Sequence, residues 1–286
     1  MKMKIGQIEE LTPQSAYLLN NGTSIPVLGL GVWQMAEGGE TANAVKWALR
    51  TGYRLIDTAK IYGNEAEVGR AIKESGVPRE QLFVTTKLWN EDQGYEPALK
   101  AIDASLERLG MDYVDLYLIH WPFYDREKTG NKREETWKAM EEIYQSGKAK
   151  AIGVSNYTIE HLEEMKNYAK ILPAVNQVEF HPFLYQRDLL DYCWQNDIVL
   201  EAYSPLAHGK KLEDERITAI AMKYGKSNAQ VLIRWSLQHG NVVIPKSSHK
   251  ERIEENFNVF DFTLDALDMK DLDDLNEDLH TAWNPY

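Results

Sequence analysis

The chain of 286 residues is predicted to fold as a (β/α)8 TIM barrel, and three observations carry that expectation. Eight short apolar, β-branched runs alternate with segments of helical periodicity, the pattern of parallel strands joined by crossover helices. The eight units fill about 255 residues with no Pro/Ser-rich linker, which fits one closed barrel. With 43% hydrophobic and 27% charged residues the composition is that of an ordinary globular chain, neither disordered nor fibrous. A single domain over residues 1–286 is therefore expected, with an open doubly wound sheet as the second choice.

The first element expected is a β-hairpin. Residues 16–19 and 24–27 flank Asn20-Asn21-Gly22-Thr23, and Asn-Gly between apolar runs favours a tight reversal. The barrel strands follow at 28–32, 54–57, 82–86, 114–119, 150–154, 175–179, 199–203 and 242–245. Between them, Leu99, Ile102, Leu106 and Leu109 mark one buried helix face before Gly110, a residue suited to the left-handed position after a helix. Ser227 with Gln230, and Ser248 with Glu251, have the spacing of reciprocal helix caps. Residues 264–279 read as an acidic helix, and Trp283, Pro285 and Tyr286 form an aromatic tail expected to pack.

Lys and Arg number 32 against 44 Asp and Glu, a net charge of −12 that repels phosphate backbones, so nucleic acid is not an expected partner. Cys193 is the only cysteine, which excludes an internal disulfide and a thiolate zinc cluster and fits a reducing compartment. No signal-peptide pattern opens the chain, and nowhere do about 18 apolar residues run together. A cytoplasmic protein with no membrane partner and no metal site is expected.

Reactive groups of such barrels come from the C-terminal ends of the strands. The second strand ends in Asp57, with Tyr62 five residues on; the third runs into Lys87; the fourth ends in His120. Singly, each has a structural explanation: a turn, a snorkelling lysine, a packed histidine. Together, an acid, a lysine and a histidine ending three successive strands at one mouth incur desolvation costs unless they serve one another or a ligand. A lysine ammonium beside a tyrosine favours its phenolate and makes it a better acid. Asp57 would hold Lys87 charged, and His120 would donate to a substrate oxygen. This set suits reduction of a carbonyl, in which a proton reaches oxygen as hydride reaches carbon.

The dinucleotide glycine fingerprint is absent, since Gly29 and Gly31 are followed by Gln34 where a third glycine belongs. The better anion site is 244–256, where Lys246, Ser247 and Ser248 precede a helix start with Arg252 in its first turn.

The segments Asp57-Thr-Ala-Lys-Ile-Tyr62-Gly-Asn64-Glu65, Thr86-Lys87-Leu-Trp89, Leu118-Ile-His120-Trp-Pro122, Gly153-Val-Ser155-Asn156, Asn176-Gln177-Val-Glu179-Phe-His-Pro182, Ala202-Tyr203-Ser204-Pro-Leu206 and Ile244-Pro-Lys246-Ser247 together resemble the aldo-keto reductases. The similarity spans about residues 17 to 260, and several motifs in the right order make it more specific than any single pattern. The resemblance implies an NADPH/NADP+ cofactor bound without a Rossmann domain, and a catalytic tetrad of Asp57, Tyr62, Lys87 and His120. It maps nicotinamide contacts to Ser155, Asn156 and Gln177, and ring stacking to Tyr203. Ser204 and Leu206 of the same motif fall on the cofactor side. Lys246, Ser247 and Arg252 would meet the adenosine 2′-phosphate, with Glu255 and Asn256 near the adenine. Trp33, Trp89 and Trp121 match positions that line the substrate pocket.

Only 16 residues separate His120 from Trp137, so the mouth loops look short and the pocket open. A glutamate in place of His120 accompanies double-bond reduction in the family, so His120 argues against that reaction. A small-molecule carbonyl substrate and a monomer are expected. Two other classes remain: a Schiff-base lyase using Lys87, and a non-catalytic nicotinamide-binding or structural protein on the same barrel.

Overall fold

The computed structural model describes residues 2–3, 10–122 and 132–282. Eight parallel strands form its centre: β4 (Gly29–Gly31), β5 (Leu55–Asp57), β6 (Phe83–Leu88), β7 (Val114–Ile119), β8 (Ala149–Ser155), β9 (Val175–Glu179), β10 (Val199–Tyr203) and β11 (Val242–Val243). They pair in sequence order. The edges meet where Leu28 bridges Val243 in parallel, the Val243 N–H donates to the Val27 carbonyl at 2.9 Å, and the Gly31 N–H donates to the Pro245 carbonyl at 3.1 Å. The chain is a (β/α)8 barrel, and each strand begins or ends within three residues of the range expected from its apolar run.

Helices α1 (Glu40–Thr51), α2 (Glu65–Ser75), α3 (Tyr95–Leu109), α4 (Lys132–Gln145), α5 (Ile159–Met165), α6 (Arg187–Gln195), α7 (Glu215–Tyr224), α8 (Asn228–Gln238) and α9 (Lys250–Phe257) cover the barrel, followed by α10 (Ala266–Asp273). In α3 the buried residues Ala98, Ala101, Ile102, Ser105, Leu106 and Leu109 recur at three- and four-residue spacing, and Gly110 at φ 62° ends the helix. Helices α2 and α3 approach so closely that a Cβ on Gly69 would lie 1.9 Å from the Leu109 carbonyl oxygen. Among the described residues no helix is long and apolar enough to cross a membrane.

Three local expectations need correction or extension. The Ser227–Gln230 cap forms at the start of α8, but the Ser248–Glu251 cap does not. Helix α9 starts one residue later, after His249, because Ser247 Oγ accepts the His249 N–H at 3.2 Å and turns the backbone first. The expected acidic helix shrinks to α10, capped by Asp265, because the chain then turns back and both Glu277 and Leu279 N–H donate to the Phe183 carbonyl. The hairpin of β2 (Ala16–Leu18) and β3 (Ser24–Pro26) gains β1 (Lys2–Met3), parallel to β2. Its turn is tied to the N-terminal ends of the strands, with Asn20 Nδ2 donating to Pro173 O and Asn21 Nδ2 to Lys150 O, so it closes the barrel floor. The aromatic tail at 283–286 and most of the loop after His120 lie outside the described residues.

Candidate active site

At the opposite end the strand termini converge on a cavity of about 1020 Å³. Asp57 ends β5. The next residues pass through a short 3-10 turn, Lys60–Tyr62, and Gly63 at φ 71° follows it, which folds Tyr62 back over the strand end. Asn64 fixes this turn: its Oδ1 accepts from Thr58 Oγ1 at 2.8 Å, and its Nδ2 donates to Val32 O at 2.9 Å.

Lys87 lies behind Asp57 and Tyr62, wholly inaccessible to solvent. Its Nζ donates to Asp57 Oδ1 at 2.6 Å and Oδ2 at 2.8 Å, to Thr58 O at 3.0 Å and to Tyr62 Oη at 3.3 Å. Burial opposes the charge on Lys87, but Asp57, Tyr62 and the hydrogen bonds to Asp57 outweigh it, so its pKa stands above that of a free lysine. A Schiff-base role needs a neutral amine that substrate can reach, and this ammonium offers neither.

For Tyr62 the balance differs from the sequence expectation. Burial is the largest influence and pushes the phenol up to about 12; Lys87 pulls it down without reversing the shift. Tyr62 therefore keeps its proton at neutral pH, with the Lys87 ammonium 3.3 Å from its oxygen.

His120 follows β7 directly. Its N–H donates to Leu88 O at 3.1 Å and its carbonyl accepts from Asn156 Nδ2 at 3.0 Å, which locks the backbone on both sides. The imidazole stands edge-on to Tyr62, with ring centroids 5.7 Å apart, and to Trp89 at 5.2 Å. Burial, aided by the Lys87 charge, holds its pKa well below that of a free histidine, so the ring is neutral. A neutral imidazole beside a neutral phenol makes a pair of donors for one oxygen.

Further along the cavity, Ser155 Oγ donates to Gln177 O at 2.7 Å, Asn156 Nδ2 also reaches Ser155 Oγ, and Tyr203 Oη donates to Asn156 Oδ1 at 2.9 Å. Asn156 at φ 63° and Ser204 at φ 49° hold left-handed backbone, and such strain collects at binding sites. Leu206 and Ser204 line the same wall. At the far end stand Lys246 and Arg252, both exposed, with Ser247, Glu255 and Asn256 beside them. Trp89 and Trp121 line the cavity beside His120, and Trp33 lines it against His208, with ring centroids 5.3 Å apart. Every residue singled out from the sequence lines this one cavity except Lys87, which supports it from behind.

Sequence reasoning missed Gln34, His208, Leu212, Asn228 and His249, which also line the cavity. The segment 204–213 crosses it, tied down where Asn228 Nδ2 donates to Leu212 O. It also missed Glu201, buried beneath the cavity. A charged residue inside the apolar run Val199-Leu200-Glu201-Ala202 was the available signal, since parallel strands of a barrel are covered on both faces.

The sequence model of the Aldo/keto reductase family matches residues 27–277. A glyoxal reductase of Bacillus subtilis is 54% identical over 267 residues, covering 93% of this chain and 95% of that protein. A 9,11-endoperoxide prostaglandin H2 reductase of Trypanosoma cruzi is 52% identical over 271 residues, covering 93% of each. The crystal structure of an aldo-keto reductase of Bombyx mori in complex with NADP superposes with a TM-score of 0.87 at 36% identity, covering 93% of this chain and 94% of that one.

Proposed function

Because this chain belongs to the aldo/keto reductase family, we propose that it reduces aldehydes and some ketones to alcohols with NADPH, using Tyr62 as the general acid. The observation that carries this reading is the unbroken contact chain Asp57–Lys87–Tyr62 at the foot of the cavity, with His120 at its side.

The residues present fit a nicotinamide dinucleotide phosphate. Amide and hydroxyl groups of Ser155, Asn156 and Gln177 suit a carboxamide, the Tyr203 ring suits a flat heterocycle, and Lys246, Ser247 and Arg252 suit a 2′-phosphate. Glu255 and Asn256, on the same cavity wall, would face the adenine. When bound, the reduced nicotinamide supplies hydride to the carbonyl carbon.

In this reading the protein's own residues orient the substrate and supply the proton. His120, neutral, donates a hydrogen bond to the carbonyl oxygen and orients it. Tyr62 gives its proton to that oxygen as negative charge develops there. Lys87 stabilises the phenolate left behind, and Asp57 keeps Lys87 charged and fixed. The walls of Trp33, Trp89 and Trp121 favour compact apolar or aromatic groups. The glyoxal named for the Bacillus relative makes small dicarbonyls the first substrates to try. A monomer working in the cytoplasm belongs to the same reading.

The test is a panel of aldehydes and ketones monitored by loss of NADPH absorbance, with NADH run in parallel. Turnover with several aldehydes and preference for NADPH are expected. No NADPH oxidation with any member would overturn the reading.

A further inference from the structure

Glu201 has no part in the mechanism above, yet it is wholly buried and one hydrogen bond from it. In the sheet register Glu201 on β10 stands beside Gln177 on β9. Gln177 Nε2 donates to Glu201 Oε2 at 2.7 Å and to Asp57 Oδ2 at 2.8 Å. Both amide protons are thereby committed. The reverse orientation would place the amide oxygen against two carboxyl oxygens, so the contacts fix which way the amide points. The amide oxygen is left as an acceptor on the cavity wall.

The charges around this link do not balance if both acids ionise. The groups facing Glu201 are Asp57 from β5, Lys87 from β6 with Tyr62 beyond it, and Gln177 from β9; β11 pairs with it through Val242 and Val243. One ammonium serves two carboxyl groups. Asp57 takes both short contacts to Lys87, while Glu201 Oε1 is buried with no hydrogen-bond partner among the described residues. An ionised carboxylate with an unpartnered buried oxygen is costly, and protonation lowers that cost by removing the buried charge.

We propose that Glu201 is a positioning residue, carrying a proton in the resting enzyme, that turns the Gln177 amide oxygen toward the cofactor and restrains proton donation by Tyr62 once ionised. The inference rests on the reductase reading for its catalytic consequence. Burial first and Asp57 second push the Glu201 carboxyl up to about 8, which places its ionisation within a measurable pH range. A negative charge there acts on Tyr62 in the direction that makes the phenol a weaker acid. The sign follows: Glu201 is neutral below its pKa and ionised above it, Oε2 accepts from Gln177 in both forms, and activity falls as pH rises through the pKa because the new charge makes the Tyr62 phenol a weaker acid.

The experiment compares wild type with E201Q and E201L. E201Q keeps a neutral acceptor for Gln177; E201L removes it. Relative to its own value at pH 7, wild-type kcat/KM is expected to fall about ten-fold by pH 9, as a group of pKa about 8 dictates, while E201Q falls less than about two-fold. Tryptophan fluorescence titration should show NADPH binding weakened about ten-fold in E201L and restored in E201Q. An infrared carbonyl band of a protonated carboxylic acid should be present in wild type at pH 7, absent from E201Q, and titrate near pH 8 without any substrate. Coincident pH profiles for wild type and E201Q, or the absence of that band, overturns the proposal. A protein that shows the band but never oxidises NADPH would overturn the reductase reading and leave the protonated Glu201 standing.

Discussion

Two lysines stand at opposite ends of one cavity and do opposite things. Lys87 is inaccessible to solvent, with its ammonium divided among Asp57, Thr58 and Tyr62. Lys246 is exposed beside Arg252. The first end is charge-balanced within the protein before any ligand arrives, so its electrostatics are little screened; in the proposed mechanism they act on the change from phenol to phenolate. The second end presents cations to water, where salt screens them and where a ligand must supply the missing negative charge. The difference separates chemistry from affinity: substitutions at the buried end should act on kcat, those at the exposed end on KM.

The largest effect should come from Tyr62→Phe. It removes the hydroxyl that Lys87 contacts at 3.3 Å and should lower kcat by roughly 10² to 10⁴, with NADPH binding retained. More than about a tenth of wild-type kcat, with chemistry rate-limiting, would remove Tyr62 from its role. Lys87→Met should be as severe in kcat and should also destabilise the fold by roughly 3 to 5 kcal/mol, because Asp57 is left buried beside Glu201 without a cation. Thermal unfolding distinguishes the two variants, since only the second should melt markedly lower.

His120→Asn tests the shared boundary of the two regions. Its backbone is held by Leu88 and Asn156, so the fold should survive, while loss of the imidazole donor lowers kcat/KM by about 10². A variant that melts early but whose folded fraction keeps full activity would make His120 structural.

How much of this could be read from the sequence differs in the same way between the two ends. The strands are short apolar runs with few competing conformations, and the residues ending them sit at the mouth by topology alone, so Asp57, Lys87 and His120 could be placed without coordinates. What escaped depends on distances between elements far apart in sequence. The balance that keeps Tyr62 protonated is one case, because depth of burial decides it and periodicity does not report depth. Glu201 is another: its meaning lies in the register that sets it beside Gln177. The cap at Ser248 failed for a local reason, since Ser247 competes for the same backbone one residue earlier. The N-terminal strand Lys2–Met3 has no apolar pattern of its own and is defined only by its pairing with β2.

At the exposed end, Lys246→Ala or Arg252→Ala should raise KM for NADPH by about an order of magnitude with kcat little changed, as a charged hydrogen bond of roughly 1.5 to 3 kcal/mol lost equally from ground and transition states requires. NADH kinetics should barely respond. Added salt should weaken NADPH binding in wild type and less so in either variant. If both cofactors weaken alike, these residues do not meet a 2′-phosphate.

The smallest effect expected is a gain. Glu40 at the start of α1 accepts the Ala36 N–H at 2.6 Å, and its carboxyl is held below its ordinary pKa by that bond first, then by the Ser248 hydroxyl, with Lys246 and His249 also acting on it. It is therefore an anion close to Lys246, one of the cations assigned to the 2′-phosphate, and it partly cancels that cation's field. Ser248 cannot give its proton to Glu40 and to a phosphate together. Removing the charge in Glu40→Gln should strengthen NADPH binding two- to five-fold, the scale of about 0.5 to 1 kcal/mol for an exposed charge, and leave NADH binding unchanged. The gain should shrink as salt is added. A fluorescence titration in which the ratio of NADPH to NADH affinity is the same for Glu40→Gln and wild type would show that Glu40 does not oppose the phosphate.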